Sequence, residues 1–357
     1  MIDLSQYGYI ETKMPPSGLL AGRVIDHRGA TYTVITERGE VSAVLKGAFY
    51  HNAEGREDYP CVGDFVLLQY NDSGSSLITA LLPRRTKFSR ADFSGHAAGY
   101  AKTVREQVVA TNFDYVFVLT SLNFDFKVNR IMRYLTQARQ SGGRPVVVLT
   151  KADMASDFNT QLSDIKSVAP DVPVHAISTH TGFGLVALEE YLKPRKTVVL
   201  LGMSGVGKSS LINALMHKEV LAVKEVREDD SRGRHTTTHR QLFMLPTGAM
   251  VIDTPGMREL GLFDAGEGIS AGFTDIEDLF SQCRFADCRH NAEPGCAVNA
   301  AIADGALSRE RWEQYLAQKR ENEYVDDKAG YIAGRRAWHK AITKQYRETK
   351  KNGGYKK

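Results

Sequence analysis

A glycine-rich stretch in the middle of the chain constrains its fold more than any other feature. An apolar run at 197–201 precedes it and predicts a buried strand, and residues 209–215 predict a helix. In a strand–loop–helix unit of this kind, backbone N–H groups and the helix N-terminus surround phosphate oxygens. The stretch matches G-x-x-x-x-G-K-[ST], a phosphate-binding loop, so we assign to a nucleotide site Gly202, Met203, Ser204, Gly205, Val206, Gly207, Lys208, Ser209 and Ser210.

Two side chains of this loop have distinct expected roles. Lys208 is expected to reach the β- and γ-phosphates, and the Ser209 hydroxyl is expected to bind Mg²⁺. The glycines let the backbone turn inward around the phosphates. Further motifs of the chain, described below, support a nucleotide site over a loop that merely resembles one.

The composition is ordinary for a soluble globular protein. Of 357 residues, 42% are hydrophobic and 25% are charged, and the length suggests two or three domains. No run approaches the roughly 18 apolar residues of a membrane span. The first residues lack the basic and apolar regions of a signal peptide, so we expect a cytoplasmic protein without a membrane partner. A net charge of +4 is compatible with a nucleic-acid partner without requiring one.

The first part of the chain has the texture of a small β-domain. Short segments rich in β-branched and aromatic residues alternate with glycine-containing turns. Five strands in this length suit a small closed barrel such as an OB-fold. Such a barrel can bind RNA or be purely structural. The predicted strands are 19–24, 31–35, 41–45, 65–70 and 77–82.

A basic segment follows the predicted barrel. Residues 83–90 contain four cations, Arg84, Arg85, Lys87 and Arg90, and no acid. We interpret this segment as a linker that either contacts a phosphate backbone or is simply solvated. A domain boundary is expected near residue 105.

From residue 115 onward, strands and helices alternate. Nearly continuous apolar strands separated by helices predict a parallel sheet that is covered on both faces. The predicted strands are 115–120, 145–149 and 173–177, and the predicted helices are 128–140, 158–168 and 184–191.

A base-recognition element follows the second of these strands. Thr150-Lys151-Ala152-Asp153 stands at the carboxyl end of a strand, where open α/β sheets bind ligands. The Asp153 carboxylate can accept hydrogen bonds from guanine N1–H and the 2-amino group, whereas adenine lacks these donors. The Lys151 stem can lie across the base. These residues are similar to the [NT]-K-x-D element of GTPases, in which a small-residue loop, here at Ser178, supports the base.

Two more stretches complete the predicted nucleotide site. Residues 228–238 form a polar loop with a threonine run, from which we assign Thr237 to Mg²⁺. The apolar stretch 250–252 then leads to Asp253-Thr254-Pro255-Gly256, in which Asp253 would hold Mg²⁺ through water and the Gly256 N–H would meet the γ-phosphate. Ras-like GTPases have the base-recognition element after these motifs, whereas here it precedes the phosphate-binding loop. The order therefore indicates a circular permutation.

The last part of the chain contains a predicted metal site. A helix at 273–280 is followed by Cys283-x₄-Cys288-x-His290-x₅-Cys296. Three thiolates and one imidazole complete a tetrahedron, which predicts structural zinc with no open position, and the C-x-x-C pair of redox proteins is absent. A helix at 308–324 is expected to bury its aromatic residues. The acid-poor tail beyond residue 335 is either an RNA contact or a solubilising tail.

Together these features resemble the RsgA (YjeQ) family of small-subunit-dependent GTPases over essentially the whole chain. The resemblance implies an OB-like barrel with a basic linker at 1–105, a circularly permuted α/β GTPase domain at 106–271, and a mostly helical zinc-binding domain with a basic tail at 272–357. It also implies a GTP hydrolase with one structural Zn²⁺, and Mg²⁺ with GTP. Such a protein binds the 30S subunit and 16S rRNA late in assembly and is stimulated by the subunit. We expect a monomer.

The switch also matches the family, whose Arg-His-Thr-Thr corresponds to 234–237 here. Two positions depart from common GTPase patterns. Thr150 replaces the usual Asn, which removes a side-chain amide and is expected to loosen base binding. Met257 stands where Ras-like proteins have a water-orienting Gln, and it cannot orient water. We therefore predict that His235 is the catalytic group. The alternative is an RNA-binding assembly factor that uses GTP as a conformational clamp with little turnover.

Overall fold

The computed structural model describes residues 1–10, 15–53, 56–92, 105–122, 126–222, 240–256 and 261–326, and the fold is given for these residues. The predicted switch at 228–238, Met257 and the basic tail lie outside them. Among the described residues, no helix is long and apolar enough to cross a membrane.

The N-terminal strands close into a five-stranded barrel. β1 pairs with β2 and β2 with β3, β3 runs parallel to β5, β5 pairs with β4, and β4 returns to β1. Val24, Val34, Val66 and Ile78 fill its interior and are fully buried. All five predicted strands are confirmed, with β1 extending further than expected. They are β1 (Leu20–Arg28), β2 (Thr31–Thr36), β3 (Gly39–Leu45), β4 (Phe65–Gln69) and β5 (Ser76–Leu81), and α1 (Gly47–Asn52) follows β3.

The prediction that residues 83–90 form a linker is wrong for the second half of this segment. Residues Lys87–Asp92 form strand β6, which pairs antiparallel with β7 (Arg105–Thr111). Three of the four cations have partners within the protein: Arg84 pairs with Asp64 at 2.8 Å, Lys87 with Glu106 at 2.7 Å, and Arg90 donates to the Gln107 side chain. These partners come from sequence positions at least 17 residues away, so local composition could not reveal them.

The central domain is a mostly parallel sheet in the order β10-β9-β8-β11-β13-β12, with β12 antiparallel. One antiparallel residue pair, Asp26 with Gln241, joins β12 to the barrel strand β1. Successive residues of β11 are all buried because helices and loops cover both faces of the sheet. The new strands are β8 (Tyr115–Ser121), β9 (Arg144–Thr150), β10 (Val174–Ala176), β11 (Thr197–Leu201), β12 (Gln241–Met244) and β13 (Met250–Asp253).

The helices of this domain agree with the sequence, with one exception. α2 (Val128–Gln140), α3 (Asn159–Val168) and α4 (Lys208–Met216) lie where helices were expected. The predicted helix at 184–191 is wrong in extent, because only a 3-10 turn at Leu185–Leu188 forms. The Tyr191 ring beyond it packs edge-on against Phe117 of the sheet, so tertiary packing overrides the helix propensity of the segment.

The C-terminal region is helical and packs on α2. Its helices are α5 (Gly266–Gly272), α6 (Thr274–Phe280), α7 (Ala297–Ala303) and α8 (Arg309–Asp326). α5 crosses α2 so closely that a Cβ at Gly268 would lie 2.2 Å from the Thr136 carbonyl oxygen. Burial of Trp312 and Tyr315 on α8 confirms the expectation that these aromatics are core residues. The domain bounds at 105 and 271 stay predictions.

Candidate nucleotide site and metal cluster

The phosphate-binding loop connects β11 to α4. Gly207 precedes the first helical residue with φ of +102°, a conformation that residues with a Cβ rarely adopt. Lys208 is 8% exposed, and its Nζ donates to the carbonyl oxygens of Gly202 at 3.0 Å and Met203 at 2.8 Å. The lysine therefore lies along the inside of the loop.

The charge of Lys208 is sensitive to its surroundings. Burial lowers the pKa of Lys208 to about 8, and the nearby Asp253 carboxylate opposes that shift. A phosphate group bound in the loop would stabilise the protonated form, because opposite charges at close range favour the charged state. The loop is therefore suited to a polyanionic ligand.

The predicted base-recognition residues lie on two neighbouring strand ends. β10 runs parallel to β9, so Ser178 and Thr150 emerge at the same edge of the sheet. Asp153 is exposed, and a hydrogen bond with the Ser178 side chain lowers the pKa of its carboxyl. Burial lowers the pKa of Lys151, whose backbone adopts φ of +60°. An ionised carboxylate thus faces outward next to a half-buried ammonium group.

Thr150 contacts the phosphate-binding loop. Its side chain is almost fully buried, and Oγ1 donates to the Val206 carbonyl oxygen at 2.6 Å. The hydroxyl therefore makes a direct link between the base-recognition element and the loop that would hold the phosphates.

The Asp253–Gly256 motif packs against the other flank of the same loop. Asp253 is the last residue of β13 and is 2% exposed. The Thr254 hydroxyl donates to the Leu200 carbonyl oxygen of β11 at 2.5 Å. The sequence analysis assigned no role to Thr254, although this residue lies within the motif. A Cβ at Gly256 would lie 2.6 Å from the Ser204 nitrogen, so only glycine fits this approach. The motif and the loop are in contact.

The structure thus brings together most of the predicted nucleotide residues at one edge of the parallel sheet. The carboxyl ends of β9, β11 and β13 supply Thr150, the phosphate-binding loop and Asp253. His235 and Thr237 lie outside the described residues, so their roles stay predictions.

A buried arginine, for which no local pattern predicts a special role, supports this domain from the barrel side. Arg23 of β1 is fully buried and donates to the carbonyl oxygens of Gly63 and Asn112. It also donates to Oγ1 of Thr197, the first residue of the strand β11 that leads to the phosphate-binding loop. Burial, and to a lesser extent the positive charge of the neighbouring Arg85, lowers the pKa of Arg23 to about 9. Nothing in the local pattern distinguishes this arginine from an exposed one.

The predicted metal ligands also come together. One ligand atom each from Cys283, Cys288, His290 and Cys296 lies within 4.8 Å of every other. His290 Nδ1 is 3.6 Å from Cys283 Sγ and 3.5 Å from Cys296 Sγ. Tetrahedral zinc with ordinary Zn–S and Zn–N bonds separates sulfur from nitrogen by about 3.6 Å. The donor set and spacing fit a four-coordinate metal site.

A parallel sheet with a phosphate-binding loop, preceded in sequence by its base-recognition element, defines a circularly permuted P-loop GTPase. The RsgA GTPase family profile matches residues 81–263. The chain is 44% identical over 308 residues to small ribosomal subunit biogenesis GTPase RsgA 2 of Lactiplantibacillus plantarum, covering 86% of this chain and 85% of that protein. It is 45% identical over 294 residues to RsgA 1 of Listeria innocua, covering 82% and 81%. The chain belongs to the RsgA GTPase family and is a GTP-hydrolysing enzyme.

Solved structures share the fold. The crystal structure of YjeQ from Thermotoga maritima has a TM-score of 0.59 and 26% identity, covering 84% of this chain and 96% of that one. The structure of YloQ, described as a circularly permuted GTPase, has a TM-score of 0.57 and 22% identity, covering 87% and 96%. These likenesses agree with the motif order in the sequence.

Proposed function

We propose that this protein hydrolyses GTP during assembly of the small ribosomal subunit in the cytoplasm, and that the 30S subunit stimulates its turnover. The observation that carries the proposal is the contact of three motifs at one sheet edge: Thr150 and Thr254 both donate to carbonyl oxygens of the strand and loop that hold Lys208. The relatives named as small ribosomal subunit biogenesis GTPases support the choice of partner.

Within that site we assign one role to each motif. Lys208 and the backbone N–H groups of the loop bind the phosphates, and Asp153, Lys151 and Ser178 bind guanine. Thr150 positions the loop. Mg²⁺, when bound with GTP, neutralises phosphate charge, and the residues that would hold it are Ser209, Thr237 and Asp253. The Gly256 N–H is expected to reach the γ-phosphate.

For the metal cluster we propose one structural Zn²⁺. Its four protein ligands leave no position for a substrate, so its contribution is to folding. Phe280 stacks on the His290 ring at 4.4 Å between centroids, and Trp312 meets that ring edge-on at 5.7 Å. These rings cover two sides of the His290 imidazole. RNA contacts of the barrel, the cluster and the basic tail would then dock the protein on 16S rRNA.

The central experiment is nucleotide turnover by the purified full-length protein. GTP and ATP are compared alone, with purified small subunits, and with large subunits. We expect GTP hydrolysis to rise with small subunits only and ATP hydrolysis to stay at background. Equal turnover of the two nucleotides, or equal stimulation by the two subunits, would contradict the proposal.

Two variants separate binding from hydrolysis. His235→Ala is expected to retain GTP and 30S binding and lose most stimulated turnover, because the imidazole would orient the attacking water. Lys208→Ala is expected to weaken nucleotide binding itself, since its charge is needed in the ground and transition states. A His235→Ala protein with full stimulated turnover would eliminate the proposed catalytic role.

A further inference from the structure

A cavity lies where the N-terminal residues, the barrel and the segment after β5 meet, and we call it the junction cavity. Its volume is about 330 Å³, within the roughly 300–1,000 Å³ that is usual for ligand pockets. Asn112, which lines it, stands just before β8. Because the nucleotide residues follow the carboxyl ends of the parallel strands, the junction cavity is a separate site at the opposite edge of the sheet.

Two aromatic rings line the junction cavity. The Tyr9 and Phe65 rings are tilted against each other with centroids 5.4 Å apart. Phe65 is 6% exposed, and the Arg23 guanidinium lies 5.0 Å from the centroid of its ring. The Phe65 ring is therefore fixed by its neighbours, while Tyr9 is only partly buried and presents ring surface to the cavity.

The two arginines at the cavity differ in how their charges are satisfied. Arg84 donates to both carboxylate oxygens of Asp64 at 2.8 Å, so its charge is neutralised within the barrel. Arg85 is held through its backbone, whose N–H donates to Asn112 Oδ1 at 2.9 Å, and its side chain is exposed. Within the described part of the chain, no group accepts a hydrogen bond from the Arg85 guanidinium. Arg85 is thus a positioned cation at the edge of an aromatic cavity.

A second positive charge lies beneath the cavity. Among the described residues, the hydrogen-bond acceptors of the fully buried Arg23 are carbonyl oxygens, the Thr197 hydroxyl and the Met250 sulfur, and none is a carboxylate. Burial and then the charge of Arg85 lower the pKa of Arg23, so the two guanidinium groups repel each other. A buried charge without a counter-ion is costly, and an anion nearby reduces that cost.

The acidic groups near Arg23 are already paired with other cations. The charges of Asp114 and Asp64 partly offset the shift in Arg23, but Asp64 binds Arg84 and Asp114 binds Lys196 at 2.9 Å. The surroundings of the junction cavity therefore carry excess positive charge. They favour a ligand with an anionic group and a flat apolar face.

We propose that the junction cavity binds one unpaired nucleotide of RNA, with its base against Tyr9 and its phosphate on Arg85. Unpaired RNA bases stack on aromatic side chains, and arginine binds phosphate well. A single exposed guanidinium matches one phosphate of a chain rather than the clustered charges of a free polyphosphate. The inference rests on the proposed function, which docks the protein on 16S rRNA, and adds a base-binding site to it.

The test separates the ring from the charge. Tyr9→Leu removes the ring and Tyr9→Phe keeps it, whereas Arg85→Ala removes the charge and Arg85→Lys keeps it. Arg309→Ala removes an exposed arginine of α8 outside the cavity and is the matched control for net charge. The probes are purified small subunits, short single-stranded oligoadenylate and oligouridylate, and free AMP and UMP.

Dissociation constants are measured at several salt concentrations. Tyr9→Leu is expected to weaken oligonucleotide binding by about tenfold without changing its salt dependence, because base stacking is lost. Arg85→Ala is expected to weaken binding and to reduce the slope of log K against log salt by about 0.7, the value for one phosphate contact on a single strand. Small subunits should follow the same order, and Tyr9→Phe, Arg85→Lys and Arg309→Ala should match the wild type. GTP turnover without subunits should be unchanged in every variant.

Wild-type RNA affinity and salt slope in both Tyr9→Leu and Arg85→Ala would overturn the inference. AMP or UMP that binds as tightly as the oligonucleotides would also overturn it, because the cavity would then serve a free nucleotide. Should Tyr9→Leu unfold, Arg85→Ala decides the question, since its side chain is exposed. Failure of the wild-type protein to bind small subunits would instead refute the proposed function, so the two failures are distinguishable.

Discussion

The nucleotide site and the metal cluster are assembled in opposite ways. The nucleotide site draws residues from strand ends between Thr150 and Gly256, and hydrogen bonds from Thr150, Thr254 and Lys208 to main-chain carbonyls hold them together. The four metal ligands come from one stretch of 14 residues between α6 and α7, packed by aromatic rings. The first site depends on the hydrogen bonds of a folded sheet, whereas the second, on our proposal, depends on a bound zinc ion.

The largest expected effect follows from removing the metal. Structural zinc contributes about 10–16 kcal/mol to the folding of small zinc domains, so chelation or Cys288→Ala should unfold the C-terminal helices. Far-UV circular dichroism would show the lost helix, while GDP binding to the parallel-sheet domain persists. Cys61→Ala, which alters a buried cysteine outside the cluster, should keep one zinc. A fully helical, zinc-free Cys288→Ala protein would show that the C-terminal helices fold without the metal and would contradict this expectation.

A smaller effect is expected from Asp153→Asn in the nucleotide site. Loss of a charged hydrogen-bond acceptor should cost about 1.5–3 kcal/mol of GTP binding and shift preference toward xanthine nucleotides, whose base edge matches an amide. Competition binding with GTP and xanthosine triphosphate measures both. Asp164→Asn, an exposed acid on α3, is the matched control. Unchanged GTP affinity in Asp153→Asn would remove this loop from the site.

The pH dependence of binding tests the buried lysine. Its pKa is lowered to about 8, so the free protein carries a neutral Lys208 above that pH. Because phosphate binding favours the protonated lysine, GDP affinity should fall as pH rises through 8, by up to tenfold per unit, or about 1.4 kcal/mol. Calorimetric titration at constant ionic strength from pH 7 to 9 measures the slope. A GDP affinity that does not change between pH 7 and 9 would show that a group other than Lys208 supplies the positive charge.

The smallest expected effect concerns the link between base and phosphate elements. Thr150→Val keeps the side-chain shape and removes the hydroxyl that donates to the Val206 carbonyl oxygen. GTP and GDP should therefore both bind more weakly, by about 0.5–1.5 kcal/mol. Preference for guanine over xanthine should not change, because Asp153 is intact. Thr150→Ser retains the donor and should bind like the wild type. A change in base preference alone would assign Thr150 to the base rather than to the loop.

Local sequence patterns were sufficient where the chemistry is local. The five barrel strands, α2 and the helix after the phosphate-binding loop have the expected places because alternation, apolar spacing and glycine turns act within a few residues. The metal cluster was predictable for the same reason, since its ligands are separated by short loops. The segment 83–90 was misread because a cation's partner is a tertiary contact, as with Arg84 and Asp64.

The order of the motifs along the chain is enough to establish the class of the protein, and the residue types establish the kind of donor at each candidate position. Which groups support those donors depends on contacts that form only when the chain folds. Thr150 bonds to Val206 and Arg23 to Thr197, across separations of 56 and 174 residues. A hydrogen bond depends on distances of about 3 Å in space, and such distances are unrelated to spacing along the chain until the chain has folded.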